Sequence, residues 1–341
     1  MRLAGAMARL ALLATLSGPI TGARAETIAE FYRDKTIRVV IGYGPGGGYD
    51  IYGRLAAQFL GKHIPGNPKI LPVNMPGGSS LRAVDYLVNV AAKDGTYLGS
   101  VQQALAMTEA LEGTGKFDPT KLSYIGRFTS NIDVAVALPK SGITSFDDVR
   151  KREASFGADQ SGSMSFAFAQ LLNAYAGARL KIIKGYNGSN EIQLAVERGE
   201  VDINGSYSLP AILQTHPDWV SKGTATILFQ NALTRFSQLP RTPTLLDLVT
   251  GDEGRRLAQV IAGTAEIGRS ILTTPGVPAD RLAALRLAFQ TMLRDPDFIA
   301  ASESRNLMII PGTGEAMDAI SKEAMGLPAP IVEALRKLLK E

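Results

Sequence analysis

The sequence of 341 residues contains no cysteine and only two histidines. Without a thiol, the chain can form neither a disulfide nor a thiolate metal site, and it has neither a cysteine nucleophile nor a cysteine that could carry a lipid anchor. His63 and His216 are far apart in the sequence, lie beside proline-containing loops and are not near a candidate nucleophile. We therefore expect both at the surface, and no catalytic residue, metal or cofactor is predicted.

The sequence also lacks any run of about 18 apolar residues, so it predicts no transmembrane helix. An apolar stretch near its start, Leu10 to Leu16, follows Arg2 and Arg9 and precedes Ala23-Arg24-Ala25. This order of basic, apolar and small residues is typical of a secretory signal peptide that is cleaved after Ala25. We expect residues 1–25 to be removed and the mature protein to be soluble in the periplasm.

Strong charge of either sign is absent as well. The formal net charge is +4 at pH 7, and Arg2, Arg9 and Arg24 of the predicted leader account for three of these charges. The mature chain is then almost neutral, so we expect no nucleic-acid partner and no anionic membrane surface as a partner.

The chain that remains after removal of the leader exceeds about 250–300 residues, the length at which a single core stops growing, so two lobes with a cleft between them are expected.

A glycine-rich turn is the most informative feature that the sequence does contain. Residues 37–42 predict a strand, and the three glycines at 46–48 remove side chains from the turn that follows. Backbone N–H groups in such a turn can approach an anion closely. Apolar residues recur every four positions from Ile51, so a helix is expected to begin after Asp50, which either caps it or contacts a ligand. A helix N-terminus facing this loop favours a carboxylate or a phosphate.

The same turn also fits a nucleotide-binding pattern, because Gly42 to Gly47 matches G-x-G-x-x-G. However, Pro45 lies inside the match, and the next predicted strand ends at Asn74 instead of at an acidic residue that could bind a ribose. The Gly-Lys-Ser/Thr of a P-loop is also missing after the glycines. We therefore expect no nucleotide cofactor.

Predicted strands and helices alternate along the chain, which indicates an α/β fold with mainly parallel sheets flanked by helices. Ligands of such sheets bind at the carboxyl ends of the strands. This edge is expected to hold a turn at Gly77, Gly78 and Ser79. It is also expected to hold a second anion-binding turn at Ser161 to Ser163, which precedes a helix predicted over 164–175.

Six short motifs follow one another in an order that resembles a known family. They are Tyr32 to Arg38, Gly46 to Asp50 with Arg54, Asn74 to Gly78, Lys93 to Thr96, Leu239 to Thr244 and Thr274 to Pro278. In this order, and over nearly all of the mature chain, they resemble the Bug-type (TctC-like) extracytoplasmic solute receptors of tripartite tricarboxylate transporters.

The resemblance implies a two-lobed type II periplasmic binding protein with its ligand cleft between the lobes. Such a monomer would close on a small di-, tri- or aromatic carboxylate and deliver it to integral-membrane permease subunits. The first lobe is expected to comprise residues 26–130 and 262–341, and the second lobe residues 131–261. The ligand-binding residues expected from the turns and the resemblance are Gly46, Gly47, Gly48, Tyr49, Asp50, Gly77, Gly78, Ser79, Ser161, Gly162, Ser163, Tyr186, Asp202 and Tyr207.

Some positions depart from the family pattern and leave alternatives open. Tyr49 stands where a small hydroxyl residue is usual, and it could close over a ligand or stack on its own lobe. The motif around Tyr186 lacks its proline, and the histidine usual after the second turn is missing. Asp202 lies in the strand predicted over 201–205; it could orient N–H groups or Tyr207 at the cleft, or it could simply bound this strand. At the level of function, the alternatives are an exported α/β enzyme and a ligand sensor for a membrane kinase.

Overall fold

The computed structural model describes residues 26–113, 117–158, 163–186 and 189–340. The predicted leader and two predicted ligand-binding residues, Ser161 and Gly162, lie outside the described residues. Among the helices of the described ranges, none is both long and apolar enough to cross a membrane. The α-helices are α1 Ile28–Tyr32, α2 Gly48–Phe59, α3 Leu81–Asn89, α4 Leu105–Glu112, α5 Phe146–Lys151, α6 Met164–Tyr175, α7 Ser189–Arg198, α8 Leu209–Thr215, α9 Pro217–Ser221, α10 Leu245–Leu248, α11 Gly251–Ile267, α12 Ala279–Met292, α13 Pro296–Ser304, α14 Gly314–Met325 and α15 Ala329–Lys340.

The strands form two separate sheets. The first sheet consists of β1 Thr36–Ile41, β2 Lys69–Asn74, β3 Tyr97–Ser100, β4 Ser123–Thr129, β10 Arg269–Thr273 and β11 Gly312–Thr313. The second sheet consists of β5 Asp133–Ala137, β6 Ala154–Gly157, β7 Leu180–Ile183, β8 Ile203–Ser208 and β9 Thr226–Asn231. Their strand orders are β11-β4-β10-β3-β1-β2 and β7-β6-β8-β5-β9.

The two sheets are built on the same plan. β1 pairs in parallel with β2 and β3, and β6 pairs in parallel with β7 and β8. One antiparallel strand follows in each sheet, β10 beside β3 and β5 beside β8. The turns after β1 and β6 therefore occupy equivalent places at the carboxyl edges of their sheets. This arrangement confirms the predicted two-lobed α/β fold. Each sheet is mixed and not mainly parallel, because β4 also pairs antiparallel with β10 and β11, and β9 pairs antiparallel with β5.

Each sheet has its own apolar core. In the first lobe, the ring of Phe128 lies with its centroid 4.8 Å from that of Phe289 and 5.9 Å from that of Phe298. In the second lobe, Phe168 packs edge-on against Phe229 at 5.8 Å between centroids. These rings are buried and contribute much of the apolar area that holds each lobe together.

The last helix departs from the predicted lobe boundaries. α15 belongs to the segment assigned to the first lobe, yet its Leu335 and Leu338 are buried in the core of the second lobe, against α6 and α11. The predicted boundary at residue 262 falls inside α11. Its Leu257 and Ile261 pack in the second core, whereas Ile267 packs in the first. α11 and α15 thus join the two lobes along one side.

The chain crosses between the sheets twice, and the two crossings touch. Residues 130–132 lead from β4 to β5, and Gly268 leads from α11 to β10. The Asn131 N–H donates to the Ala265 carbonyl at 2.9 Å. Gly268 has φ +48°, and a Cβ atom added there would lie 2.1 Å from the Thr129 carbonyl oxygen. Only glycine fits this position without displacing the neighbouring backbone.

We predict that Gly268→Ala destabilises the protein by about 3 kcal/mol or more, because it combines a strained φ with a backbone clash. Gly276→Ala is the matched control, since Gly276 also has a positive φ of +75° but a Cβ there meets no atom within 4 Å. The control should lose only about 1–2 kcal/mol. Urea unfolding followed by circular dichroism measures both losses. Equal losses would show that the close approach at Gly268 does not matter.

Candidate functional site

Three loops meet at the carboxyl edge of the first sheet, after β1, β2 and β3. Ser80 joins them, because a Cβ on Gly42 would lie 2.3 Å from the Ser80 Cβ, while the Ser80 hydroxyl accepts a bond from the Gln102 N–H at 3.0 Å. The Asn74 side-chain amide also donates to the Tyr43 carbonyl at 2.9 Å. The loops form one packed unit that supports the glycine turn.

The helix after the glycine turn begins earlier than predicted. α2 starts at Gly48, with Gly47 as its N-cap, so Asp50 is the third helical residue and not the cap. The helix thus begins three residues earlier than predicted, and Asp50 reaches back to accept the Gly46 N–H at 2.9 Å. Gly46 itself has φ +89°, which favours glycine. The glycine turn is held by the carboxylate of its own helix.

The carboxylate of Asp50 accepts hydrogen bonds from neighbouring groups of its own lobe. Asp50 is 3% exposed, and its carboxylate accepts bonds from Arg54 Nε at 2.9 and 3.0 Å and from Asn74 Nδ2 at 2.7 Å. Burial alone would raise the pKa of this carboxyl, but the bonds from Arg54, Asn74 and the Gly46 N–H outweigh it and lower the pKa. Asp50 therefore orders the loop, which is a structural role.

Tyr49 stacks on its own lobe, which is one of the two alternatives left open by the sequence. Its ring lies nearly parallel to that of Tyr43, with 4.6 Å between centroids, and its hydroxyl accepts the Gln103 N–H at 2.9 Å. Burial, with Tyr49 nearby, raises the pKa of Tyr43 to about 12. Tyr43 thus stays neutral, and the two stacked rings form a fixed aromatic wall beside the glycine turn.

The turn after β2 has an unusual backbone. Gly77, Gly78, Ser79 and Ser80 have φ values of +139°, +54°, +49° and +74° in succession. The first three residues are exposed at the edge where the glycine turn lies, and Ser80 points inward with no exposed surface. Two serines in the left-handed region are strained unless the surroundings hold them, and the Ser80 contacts described above do so.

The second lobe contributes an equivalent helix start. α6 covers Met164–Tyr175, which confirms the predicted helix, and Ser163 caps it by accepting the Phe166 N–H at 3.2 Å. The Ser163 hydroxyl also lies 3.0 Å from that of Ser165. Ser163 therefore follows β6 in the place that Gly47 takes after β1.

Asp202 does not lie where the sequence placed it. Its carboxylate accepts bonds from the N–H and hydroxyl of Ser155, both at 2.8 Å. Ser155 is near the start of β6, and β6 runs parallel to β8, so this pair lies at the amino edge, opposite the ligand-binding loops. The expectation of Asp202 at the cleft is corrected: Asp202 links the starts of two strands.

The two predicted tyrosines of the second lobe pack against its helices. Tyr207 is 5% exposed in an apolar cluster, with its ring centroid 6.2 Å from that of Trp219, so it is a core residue and not the predicted ligand contact. Tyr186 is half-buried against the helix that contains Ile192. Burial and the charges of Glu200 and Glu191 raise the pKa of Tyr186. Its ligand contact stays a prediction.

The sequence analysis missed Arg269, which enters the site from the crossing at Gly268. Its guanidinium carbon lies 4.2 Å from the centroid of the Tyr49 ring. Its Nη1 is 3.5 Å from Gln103 Oε1 and its Nη2 is 3.3 Å from Asn131 Oδ1. The one available signal was a single arginine between a glycine and an apolar strand, which did not reveal its neighbours.

We predict that Asp50→Asn lowers the free energy of unfolding by about 2 kcal/mol near neutral pH, because a charged acceptor is lost from a buried network. The folded-state pKa is lowered, so the wild-type carboxylate stabilises the fold above its ordinary pKa and stops doing so as the pH falls through the lowered value. Melting curves over a pH series should therefore converge in acid. Asp252→Asn, exposed in the first turn of α11, is the control and should melt like the wild type. Equal melting of the Asp50 variant at neutral pH would contradict the structural role.

The sequence matches no protein-family model and no curated protein. Three solved structures are similar to the whole fold. A TctC solute-binding protein from Polaromonas is 18% identical at TM-score 0.68, with 90% of this chain and 98% of that chain covered. An R. palustris protein with adipate is 18% identical at TM-score 0.58, with coverage of 89% and 97%. MatC from Rhodopseudomonas palustris, with bound malate, is 16% identical at TM-score 0.56, with coverage of 90% and 99%.

At these identities the likeness concerns the fold, and it extends over almost the full length of each protein. The equivalent turns after β1 and β6 and the two adjacent crossings agree with a pair of lobes joined at one edge. The chain therefore has the fold of the TctC-type periplasmic solute-binding proteins.

Proposed function

We propose that this protein is an exported solute-binding protein of the Bug type, which captures a small carboxylated metabolite by closing its lobes. It delivers that metabolite to the membrane permease of a tripartite tricarboxylate transporter. The observation that carries the proposal is the pair of equivalent strand-turn-helix units, β1 to α2 and β6 to α6, at the carboxyl edges of the two sheets.

The glycine turn suits an anion for two reasons. α2 begins at a glycine N-cap that has no side chain, so no side chain of Gly47 occupies the N–H groups of its first turn. Added Cβ atoms on Gly44, Gly46 and Gly47 would meet no atom within 4 Å, so there is open space beside the turn. N–H groups at a helix N-terminus bind carboxylates, with the helix dipole adding to the attraction.

Helix capping and non-covalent ligand binding are sufficient to explain the serine hydroxyls of the second turn. The Ser163 hydroxyl bonds the Phe166 N–H and lies beside the Ser165 hydroxyl. Neither neighbour is a base that could activate it as a nucleophile. Adipate and malate in two proteins of the same fold support a carboxylate as the ligand class.

The test is a calorimetric and thermal-shift screen of the mature protein against malate, adipate, citrate and benzoate. A ligand that binds only the folded state raises its melting temperature. Small-angle scattering should show a smaller radius of gyration with the bound acid, because the lobes close. Stabilisation by a sugar or an amine, with none by any carboxylate, would overturn the proposal.

We predict that Gly47→Leu weakens carboxylate binding by about tenfold or more, since the new side chain fills the space beside the helix N-terminus. The fold should persist, because Gly47 has φ −81° and ψ 167°, which any residue adopts. Gly47→Ala is the matched control for the backbone and should bind more tightly than the leucine variant. Calorimetry measures the affinities, and unchanged affinity in Gly47→Leu would remove this turn from the site.

A further inference from the structure

We propose that Arg269 binds a carboxylate of the ligand directly and selects for anions at the first-lobe half of the site. This inference rests on the proposed function and names the charged residue that the glycine turn alone does not supply.

The topology brings Arg269 to the ligand-binding edge. β10 runs antiparallel to β3, so its first residue lies at the edge where β3 ends. The neighbours of the guanidinium come from three places at that edge: Tyr49 in the first turn of α2, Gln103 after β3 and Asn131 in the crossing between the sheets. Arg269 is half-buried, so it remains partly open to the solvent.

Among the described residues, no carboxylate forms a salt bridge with Arg269. Its two polar contacts are neutral side-chain oxygens at the long distances of 3.5 and 3.3 Å. A guanidinium carries five N–H donors in a planar fork that matches a carboxylate. Partial burial of this charge without a counter-ion costs free energy, which an anionic ligand would offset.

Two acids of the first lobe, Asp50 in the first turn of α2 and Glu266 three residues before Arg269, are paired with other arginines. Asp50 is paired with Arg54 at 2.9 Å, and Glu266 is paired with Arg127 at 2.5 Å. Each of these carboxylates is paired with another cation, so within the described part of the chain Arg269 has no salt-bridge partner. A ligand carboxylate is the chemical group that could neutralise its charge.

The start of α2 lies next to the same guanidinium. A Cβ added to Gly48 would lie 3.0 Å from Arg269 Nε. The positive end of a helix and a guanidinium disfavour each other in the absence of an anion, and both attract the same anion when one is bound. The missing side chain at Gly48 thus lets the guanidinium lie against the start of α2, where both groups would attract the same carboxylate.

Tyr49 fixes the guanidinium by lying under it, and it explains the departure of this position from a small residue. The ring is itself held by Tyr43 and by the Gln103 N–H. A cation over a tyrosine ring gains about 0.5–2 kcal/mol without using any N–H donor. Within the described ranges, only two of its five N–H groups are engaged, in the long contacts to Gln103 and Asn131, so the guanidinium keeps donors for a ligand carboxylate.

The experiment compares the wild type, Arg269→Gln, Arg269→Lys and Arg256→Gln by calorimetry with malate, adipate, citrate and benzoate. Arg256 is exposed on α11, and its change to glutamine alters the net charge equally. For the acid that the wild type binds best, Arg269→Gln should bind about tenfold or more weakly, and Arg269→Lys should lose less. Arg256→Gln should stay within about twofold of the wild type.

Salt dependence separates a ligand contact from a purely structural role. Affinity should fall with added salt in the wild type and in Arg256→Gln, and it should fall less steeply in Arg269→Gln, because one ionic contact is missing. Affinity and salt slope that do not change in a folded Arg269→Gln would overturn the assignment and leave the receptor function standing. A lower affinity with the wild-type slope would likewise assign Arg269 to structure. A wild type that binds none of the four acids would overturn both proposals.

Discussion

Gly268 and Thr129 approach so closely that a single methyl group between them would collide with the Thr129 carbonyl oxygen. This contact ties together the two chain crossings on which both lobes depend. Arg127 reinforces it from β4, since the guanidinium binds the Glu266 carboxylate at 2.5 Å and the Ile310 carbonyl at 3.1 Å. A buried arginine must be paired in this way, because an unpaired buried charge is strongly destabilising.

The two crossings also bear on the lobe closure that we propose. Residues 130–132 and Gly268 are short connections between strands of the two sheets, so a closing movement would bend the chain there. In that movement the equivalent turns after β1 and β6 would approach each other. Arg269 begins β10 one residue beyond the glycine that makes the crossing possible, so the proposed ligand contact lies directly beside this connection.

Local sequence signals predicted the elements that depend on local physics. The capped helix at Met164–Tyr175 and the buried strand before the glycine turn follow from spacing and residue type. Contacts between distant segments were not predictable in this way. Asp202 binds Ser155, α15 packs on the second lobe, and Arg269 reaches Tyr49, which is 220 positions earlier in the sequence. Each depends on sheet order and crossings, which no single segment encodes.

The charged residues of the site have two different roles. Asp50 and Arg54 stabilise the glycine turn, whereas we propose that Arg269 binds the ligand. Asp50 and Arg54 neutralise each other while they hold the glycine turn, so this pair adds little net field at the cleft. Asp50 accepts hydrogen bonds from Arg54, Asn74 and the Gly46 N–H, which offset its negative charge. It can therefore order the loop that we propose to bind an anion without repelling that anion. Arg269 stacks on the Tyr49 ring and bonds to the side-chain oxygens of Gln103 and Asn131, so among the described residues no carboxylate offsets its charge through a salt bridge. In the site that we propose, Arg269 would add a full positive charge to the partial charge at the α2 N-terminus, so both would favour an acid over a neutral analogue.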